Sequence, residues 1–386
     1  NSISQTKRLG GAFGGKTSQS IPPAICAVIA ANTLKKPVSV VLSRYEDMLI
    51  TGKRHPSMIK YKVGTDTAGF LKCAHVQFYL DGGCSQDLSG MVTWLATTSF
   101  DGCFQVPVLR AEGYTLKTNK TSNTAFRGFG VPQAYFAMNS ILEHVAHAVG
   151  KRSEEASALV QIYLDGTVAV SIGGVEMGQG LNTKCLQVAS RALSLPIDMI
   201  TIIDSGTDKT CNAPETGGSQ NSDIHGKAVK KYGIPEDSPT YHTSGVACVL
   251  SEIDCRTGEH KLLSVDIVLD VGRSLNPAVD IGQIEGAFMQ GYGLMTCEEL
   301  TYDDDGKLIQ DSLYKFRVKL LKDSNVFAEQ VYSSKGIGEP PLMLGVSTIA
   351  SLRYAINARR QDLGLNDFIE ISAPLTAAKI ISFCNP

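Results

Sequence analysis

Apolar residues recur along the chain in two periods, one typical of helices and one typical of strands. The helical spacing predicts helices over 22–36, 132–148, 181–195, 281–294 and 346–358. Alternating apolar and polar residues predict three hairpins, formed by 61–63 with 73–80, 159–164 with 167–172, and 246–253 with 261–271. A β-branched run predicts one more strand over 38–42. Because hairpins and helices alternate without a regular β-α-β order, the pattern indicates an α+β fold of mixed α/β character.

A change in patterning near Gly150 suggests a domain boundary. The run 151–155 is polar and charged, and it separates a predicted helix from a predicted hairpin. We therefore expect one domain over 1–150 and a second over 151–386. A further weakly periodic, polar stretch covers 230–244.

Size and charge narrow the function classes. The chain has 386 residues, 43% of them hydrophobic, which is enough to bury a sizeable core without a disulfide scaffold. Its 36 basic and 38 acidic residues give a net charge of −2. With no run of lysine and arginine, we expect no nucleic-acid partner. The longest apolar stretch, near 24–31, is too short to span a bilayer, so we expect no membrane contact.

The ten cysteines show no C-x-x-C pair, the spacing typical of zinc ribbons and of many iron–sulfur sites. No stretch of the sequence is typical of an export signal either. We therefore expect free thiols in a reducing compartment and a cytoplasmic location.

Three glycine-rich segments are typical of backbone that approaches a ligand closely. The first, 10–17, has four glycines around Phe13 and formally fits the phosphate-loop spacing G-x-x-x-x-G-K-[ST]. Its surroundings do not fit, because 1–8 is mostly polar and Pro22 interrupts the approach to the next helix. On these residues alone, a nucleotide loop, a plain turn and another anion or metal-oxo site remain open.

The second and third segments, 173–180 and 216–223, precede predicted helices, where backbone amides bind anions. Each alone is compatible with a plain loop, but three in one chain favour a large, buried, polyanionic cofactor. Two other motifs add charged groups. Glu339, on a stiff turn before two prolines, is suited to general-base work, and Arg127, flanked by aromatic residues, is suited to ordering an anion. A solvated glutamate and a structural arginine are the alternatives.

Six segments together resemble one protein family. They are 10–16, 46–56, 122–130, 173–180, 270–287 and 334–341. On these segments the chain resembles the molybdenum-cofactor domain of the xanthine dehydrogenase/aldehyde oxidase family of molybdenum hydroxylases, and more closely the aldehyde oxidases. The resemblance implies several subdomains with the cofactor between them. Residues 1–150 would be a partial first molybdenum-cofactor-binding subdomain and 151–386 a shortened second one.

The resemblance also implies roles for individual residues. Glu339 matches the general base, which takes the proton of a molybdenum-bound hydroxyl that attacks the substrate carbon while hydride passes to a sulfido ligand. Residues that match the lining of the molybdenum centre are Phe13, Arg127 and Gly218. Positions around the molybdopterin or the active site are matched by Met177, Gly178, Gln179, Gln283 and Lys335.

Departures from the family pattern bear on the substrate. Xanthine dehydrogenases have a glutamate where this chain has Thr17 and an arginine where it has Leu95, while Phe129 matches an aromatic that packs on the substrate ring. Losing a carboxylate and a guanidinium removes the groups that pair with a purine. We therefore expect oxidation of aldehydes to carboxylic acids, with aromatic N-heterocycles as further candidates. The alternatives are a xanthine dehydrogenase that hydroxylates purines and a truncated, non-catalytic fragment.

The fragment alternative rests on three junctions that are short compared with the family, at 151–158, 230–244 and 315–316. The resemblance further implies that electrons leave molybdenum through 2Fe-2S and FAD groups on other domains or partner chains. It also implies a homodimer.

Overall fold

The computed structural model describes residues 6, 9–102, 104, 106–150, 160–162, 177–181, 183–184, 187, 243–299, 319–320 and 336–386. The helices in these ranges are α1 (Ile21–Leu34), α2 (Arg44–Ile50), α3 (Ser89–Thr98), α4 (Val131–Ala148), α5 (Pro277–Thr296), α6 (Pro340–Leu344), α7 (Val346–Asp362) and α8 (Ala377–Cys384). The strands are β1 (Ser57–Thr65), β2 (Leu71–Gly83), β3 (Val108–Lys117), β4 (Val160–Ile162), β5 (Thr243–Ile253), β6 (His260–Leu269) and β7 (Lys319–Leu320).

The first sheet has the order β1-β2-β3 and carries α3 and α4 on its inner face. Strands β1 and β2 are antiparallel, whereas β2 and β3 are parallel. Along β2, alternate residues point into the core, because successive side chains of a strand face opposite sides. Val76, Phe78 and Leu80 are fully buried there against Phe100 and Met138.

The second sheet has the order β4-β5-β6-β7, and α5 covers it. Strands β5 and β6 form an antiparallel hairpin, and β6 runs parallel to β7. Ile267 and Leu269 of β6 are buried against Ile284 and Phe288 of α5. Asn276 begins α5 by accepting a hydrogen bond from the backbone N–H of Val279 at 3.3 Å, which satisfies one donor of the first turn.

A third core joins the two halves of the chain. Val131 and Tyr135 of α4 pack in the same cluster as Ala287 of α5 and Leu342 of α6. α7 and α8 complete this cluster. The end of the first half therefore lies directly against the helices of the second half.

Most of the predicted elements that fall in the described ranges are confirmed. The helices at 22–36, 132–148, 281–294 and 346–358 correspond to α1, α4, α5 and α7. The hairpins β1–β2 and β5–β6 are also present. The strand predicted over 38–42 is wrong: this stretch has no partner strand, and Val41 is 86% exposed. The hairpin at 159–172 and the helix at 181–195 lie mostly outside the described residues.

The seven cysteines in the described ranges are free thiols. In the same ranges no helix has the length and apolar character needed to cross a membrane.

Candidate active site

Glu339 lies at the N-cap of the short helix α6, half-buried where the two halves of the chain meet. Pro340 and Pro341 begin the helix, because proline fits the first helical positions, and both are buried. Burial raises the pKa of the Glu339 carboxyl above its ordinary value. The positive charge of Arg127 and a hydrogen bond from the backbone N–H of Gly128 oppose this rise in pKa.

Arg127 brings the two halves together at this point. Its side chain is 9% exposed, and its Nε donates to the carbonyl of Gly338, the residue before Glu339. Nη2 donates to Oε1 of Gln283 at 3.1 Å, and Nη1 donates to Oε1 of Gln290 at 3.3 Å, both on α5. Burial lowers the pKa of Arg127 to about 10, which leaves the guanidinium charged at neutral pH.

The first glycine-rich segment packs against the turn that carries Arg127. The backbone N–H of Arg127 donates to the carbonyl of Phe13 at 2.7 Å, and the rings of Phe13 and Phe126 stack with centroids 6.5 Å apart. Phe13 has φ of 50°, a left-handed conformation that is uncommon for a side-chain-bearing residue. Only glycine fits at position 14, since a Cβ atom there would lie 2.1 Å from the carbonyl oxygen of Ala125.

Residues 177–180 lie against the first turns of α5. Gly180 has φ of 75°, and a Cβ atom on it would lie 2.8 Å from Val279. The backbone N–H of Met177 donates to Oε1 of Gln179 at 2.6 Å, which closes the glycine turn at Gly178. A buried ion pair at 2.7 Å, between Lys184 and Asp280, holds the following turn on α5. These contacts place 177–180 one helical turn from Gln283.

The three residues predicted to contact substrate lie on three elements. Thr17 is exposed on a turn, where its hydroxyl donates to the carbonyl of Gly14 at 2.7 Å. Leu95 of α3 is half-buried against the core cluster that contains Leu342, three residues after Glu339. Phe129 is half-buried and is the last residue of the turn 126–129, which carries Arg127 and Gly128. Among the described residues, no hydrogen bond or ion pair joins Thr17 to Glu339.

Comparison with known proteins identifies this arrangement. The sequence matches a molybdopterin cofactor-binding domain family over residues 3–157 and a second one of the same description over residues 110–235 and 232–324. The chain belongs to the molybdopterin cofactor-binding family. The predicted family and its mixed α and β fold are therefore confirmed.

The relatives of this chain include proteins named as aldehyde oxidases and proteins named as xanthine dehydrogenases. A Caenorhabditis elegans protein named probable aldehyde oxidase gad-3 is 37% identical over 518 residues, which cover 99% of this chain and 41% of the relative. A xanthine dehydrogenase of Drosophila pseudoobscura pseudoobscura is also 37% identical, over 521 residues that cover 99% of this chain and 39% of the relative. The chain thus spans about two fifths of each relative's length. Since the alignments are more than 130 positions longer than the chain, the relatives contain internal segments that it lacks.

Solved structures share the fold. A CO dehydrogenase from Oligotropha carboxidovorans superimposes with a TM-score of 0.80 at 17% identity, over 99% of this chain and 67% of that one. The aldehyde oxidoreductase from Desulfovibrio gigas gives a TM-score of 0.75 at 19% identity, over 98% of this chain and 54% of that one.

The described residues around Arg127 fit an anionic group. Within the described part of the chain, the Arg127 side chain hydrogen-bonds only to neutral carbonyl and amide oxygens. Its interaction with the Glu339 carboxylate is electrostatic. A buried guanidinium whose hydrogen-bond partners are all neutral is suited to bind a phosphate or oxo group. Gly218 and Lys335 lie outside the described residues, so the structure does not place them.

The structure does not support the nucleotide-loop alternative for 10–17. Lys16 lies 3.6 Å from the carboxylate of Asp47, and Thr17 is bonded within its own turn. Turns cover 13–20, so the lysine of the motif does not lead directly into a helix, as it does in a phosphate loop.

Sequence reasoning missed Arg54 and Gln290. Arg54 Nη2 donates to the carbonyl of Arg127 at 2.7 Å, although the two residues are 73 positions apart. Arg54 falls in the segment 46–56, which resembles the family, and this resemblance is the only sequence signal that could have pointed to it. No charge pattern in the segment distinguishes Arg54 from a surface arginine.

Proposed function

We propose that this chain forms the catalytic portion of a molybdenum hydroxylase that oxidises aldehydes to carboxylic acids. The observation that carries the proposal is the half-buried carboxylate of Glu339, beside the buried guanidinium of Arg127, in a chain of the molybdopterin cofactor-binding family. The molybdenum cofactor, when bound, supplies the two-electron oxidation.

Glu339 holds the proton that this chemistry releases. Its raised pKa makes the carboxylate a stronger base than an exposed glutamate, and the positive charge of Arg127 limits this rise in pKa. Pro340, Pro341 and Leu342, which follow Glu339 in α6, are all buried. The carboxylate interacts with Gly128 and Arg127, which belong to the first half of the chain.

Several residues would hold the cofactor. Arg127 and the backbone of Phe13 would lie beside its oxo groups, and Gln283 and the 177–180 turn would contact the molybdopterin. The left-handed glycines at 11, 14, 178 and 180 support this assignment, because glycine in this conformation lets the backbone approach a ligand closely. Gly218 near the metal and Lys335 near the pterin complete the proposed set on the basis of the resemblance.

The aldehyde preference rests on Thr17, Leu95 and Phe129. A hydroxyl, an aliphatic side chain and an aromatic ring offer no charged partner to the ring N–H and carbonyl groups of a purine. Leu95 and Phe129 lie on neighbouring elements, since Gly130 packs against the backbone of α3. Such a wall accepts the apolar body of an aldehyde.

Molybdenum quantification combined with a substrate comparison tests the proposal. We expect stoichiometric molybdenum and a higher kcat/KM for benzaldehyde than for xanthine in the complete protein. The double variant Thr17→Glu/Leu95→Arg should shift the ratio toward xanthine, whereas Thr17→Ser/Leu95→Met should not. A parent protein that prefers xanthine would establish the alternative, a purine hydroxylase, which the xanthine dehydrogenases among the relatives favour.

A lack of molybdenum in protein produced with the cofactor available would favour the third candidate, a non-catalytic fragment. The internal segments present only in the relatives are the observation behind it. We further propose that 1–150 and 151–386 are the two cofactor-binding subdomains, that 2Fe-2S and FAD groups on other domains or chains take the electrons, and that the protein is a cytoplasmic homodimer.

A further inference from the structure

Arg54 contacts one turn of the chain at three points. Its Nη2 donates to the carbonyl of Arg127 at 2.7 Å, and its Nη1 donates to the carbonyl of Phe129 at 3.4 Å. The guanidinium carbon lies 5.0 Å from the centre of the Phe126 ring, a cation–π contact. The planar guanidinium is thus shared between the first, second and last residues of the turn 126–129.

This turn has a backbone that needs support. Gly128 has φ of 85° and Phe129 has φ of 50°, both left-handed. The N–H of Phe129 closes the turn on the carbonyl of Phe126 at 2.6 Å. Because a phenylalanine rarely adopts this conformation unaided, its surroundings must hold it there.

The same turn presents one hydrogen-bond donor and one positive charge to Glu339. The backbone N–H of Gly128 hydrogen-bonds to the Glu339 carboxylate, and the side chain of Arg127 interacts with it electrostatically. The N–H of Gly128 is fixed only as well as the turn itself, since the carbonyl of Arg127 and the N–H of Gly128 belong to the same peptide unit.

We propose that Arg54 is a positioning residue, which holds the turn 126–129 so that the Gly128 N–H stays bonded to the Glu339 carboxylate and the Arg127 guanidinium stays near it. This inference rests on the proposed function, in which Glu339 is the base. Arg54 is not expected to touch substrate. It fixes the carbonyl of Arg127, and with it the peptide unit whose N–H reaches the base, and its own positive charge adds to that of Arg127 near Glu339.

The chain offers a matched control in Arg353. Arg353 is buried, whereas Arg54 is half-buried. Arg353 donates to one backbone carbonyl, that of Ile369, at 3.1 Å, and lies 5.5 Å from the centre of the Phe368 ring. It thus makes the same kinds of contact away from Glu339. If removing any such arginine simply weakened the fold, Arg54→Met and Arg353→Met should change kcat and amide exchange in the turn alike. If Arg54 positions the turn, only Arg54→Met should change them.

The experiment compares Arg54→Met, Arg54→Lys and Arg353→Met in the complete protein with cofactor bound. In Arg54→Met, amide hydrogen exchange at Arg127, Gly128 and Phe129 should become about tenfold faster or more, because the turn opens locally. Aldehyde kcat should fall about 100-fold with KM changed less than about threefold, since misplacement of about 1 Å costs this much. Arg54→Lys should restore part of the slow amide exchange and part of kcat, because the lysine ammonium can bond to one of the two carbonyls.

The contradicting results are equally specific. The inference is overturned if exchange in the turn stays at the parent rate in Arg54→Met, or if Arg353→Met changes kcat and turn exchange as much. If Arg54→Met does not fold, the same comparison is made on Arg54→Lys, whose faster exchange must then be confined to the turn. Parent protein that binds no molybdenum would refute the proposed function, while the exchange measurement would still decide whether Arg54 holds the turn.

Discussion

At the scale of single residues, the environment of Glu339 predicts a pH dependence. Burial raises the pKa of this carboxyl, so the ionised form that accepts a proton is lost at a higher pH than for an exposed glutamate. We expect kcat/KM for aldehyde to fall as pH decreases through a value above 4.5, the ordinary pKa of a glutamate. A pH–rate profile measures this limb. A rate that stays constant down to pH 4.5 would exclude a buried carboxylate as the base.

His55 predicts a pH dependence of stability instead. Its ring is 3% exposed, its Nε2 lies 2.7 Å from the hydroxyl of Ser89, and burial lowers its pKa from 6.5 to about 4. Between pH 6.5 and 4, His55 is therefore protonated in the unfolded chain but not in the folded chain. The free energy of unfolding consequently falls as the pH falls through this window. The whole loss amounts to about 3 kcal/mol.

His55→Gln tests this, because glutamine keeps a donor for Ser89 but does not titrate. Urea unfolding at several pH values should show a smaller decline in the free energy of unfolding for the variant between pH 6.5 and 4. Equal slopes for the parent and the variant would show that His55 is not the group responsible.

At the scale of elements, the approach of α5 to α6 fixes where Glu339 lies. A Cβ atom on Gly291 of α5 would lie 2.3 Å from the carbonyl of Leu342, and one on Gly345 would lie 2.5 Å from the backbone of Gly291. These two glycines let the helices touch through their backbones. Any side chain between them would push α6, with Glu339 at its N-cap, away from Arg127.

Gly291→Ala should therefore lower the free energy of unfolding by about 1–3 kcal/mol, because it overpacks the contact. Gly286→Ala is the control on the same helix, since a Cβ atom there meets nothing within 4 Å. It should raise stability by up to about 1 kcal/mol through helix propensity alone. Thermal unfolding of both variants tests this prediction. Similar changes in the free energy of unfolding of the two variants would contradict the close backbone contact at Gly291.

The elements also show what sequence patterning can predict. α4 and α5 carry long apolar stripes or strong start signals, and both were predicted. α3 was missed because Gly90 and three threonines lower its helix propensity, and its packing against β2 and α4 stabilises it instead. The run 38–42 has strand propensity but no neighbour to pair with, so it remains extended and exposed. Propensity describes a segment, whereas pairing depends on the rest of the chain.

For the site, residues with an unusual local motif were found from sequence and residues without one were not. Glu339 and Arg127 stand in glycine-rich motifs, and the structure brings them together. Arg54 and Gln290 have ordinary neighbours, and only the fold brings them to Arg127. The positions of Gly218 and Lys335 remain predictions.

At the scale of the whole molecule, the candidate site exists only because two halves of the chain meet. Arg127 comes from the first half, while Gln283, Gln290 and Gly338 come from the second. A shared core of α4, α5, α6 and α7 holds the halves together. Cofactor binding should therefore stabilise the contact between the halves, and not one half alone.

The most direct test of the account is the rate of aldehyde oxidation by Glu339→Gln, measured in the complete protein at matched molybdenum content. Glutamine keeps the shape of the side chain and the hydrogen bond from Gly128, but it cannot accept a proton. We predict unchanged molybdenum content and a loss of turnover of at least about 10²–10⁴-fold, the contribution of a general base. Turnover of the glutamine variant at the parent rate would contradict the central claim.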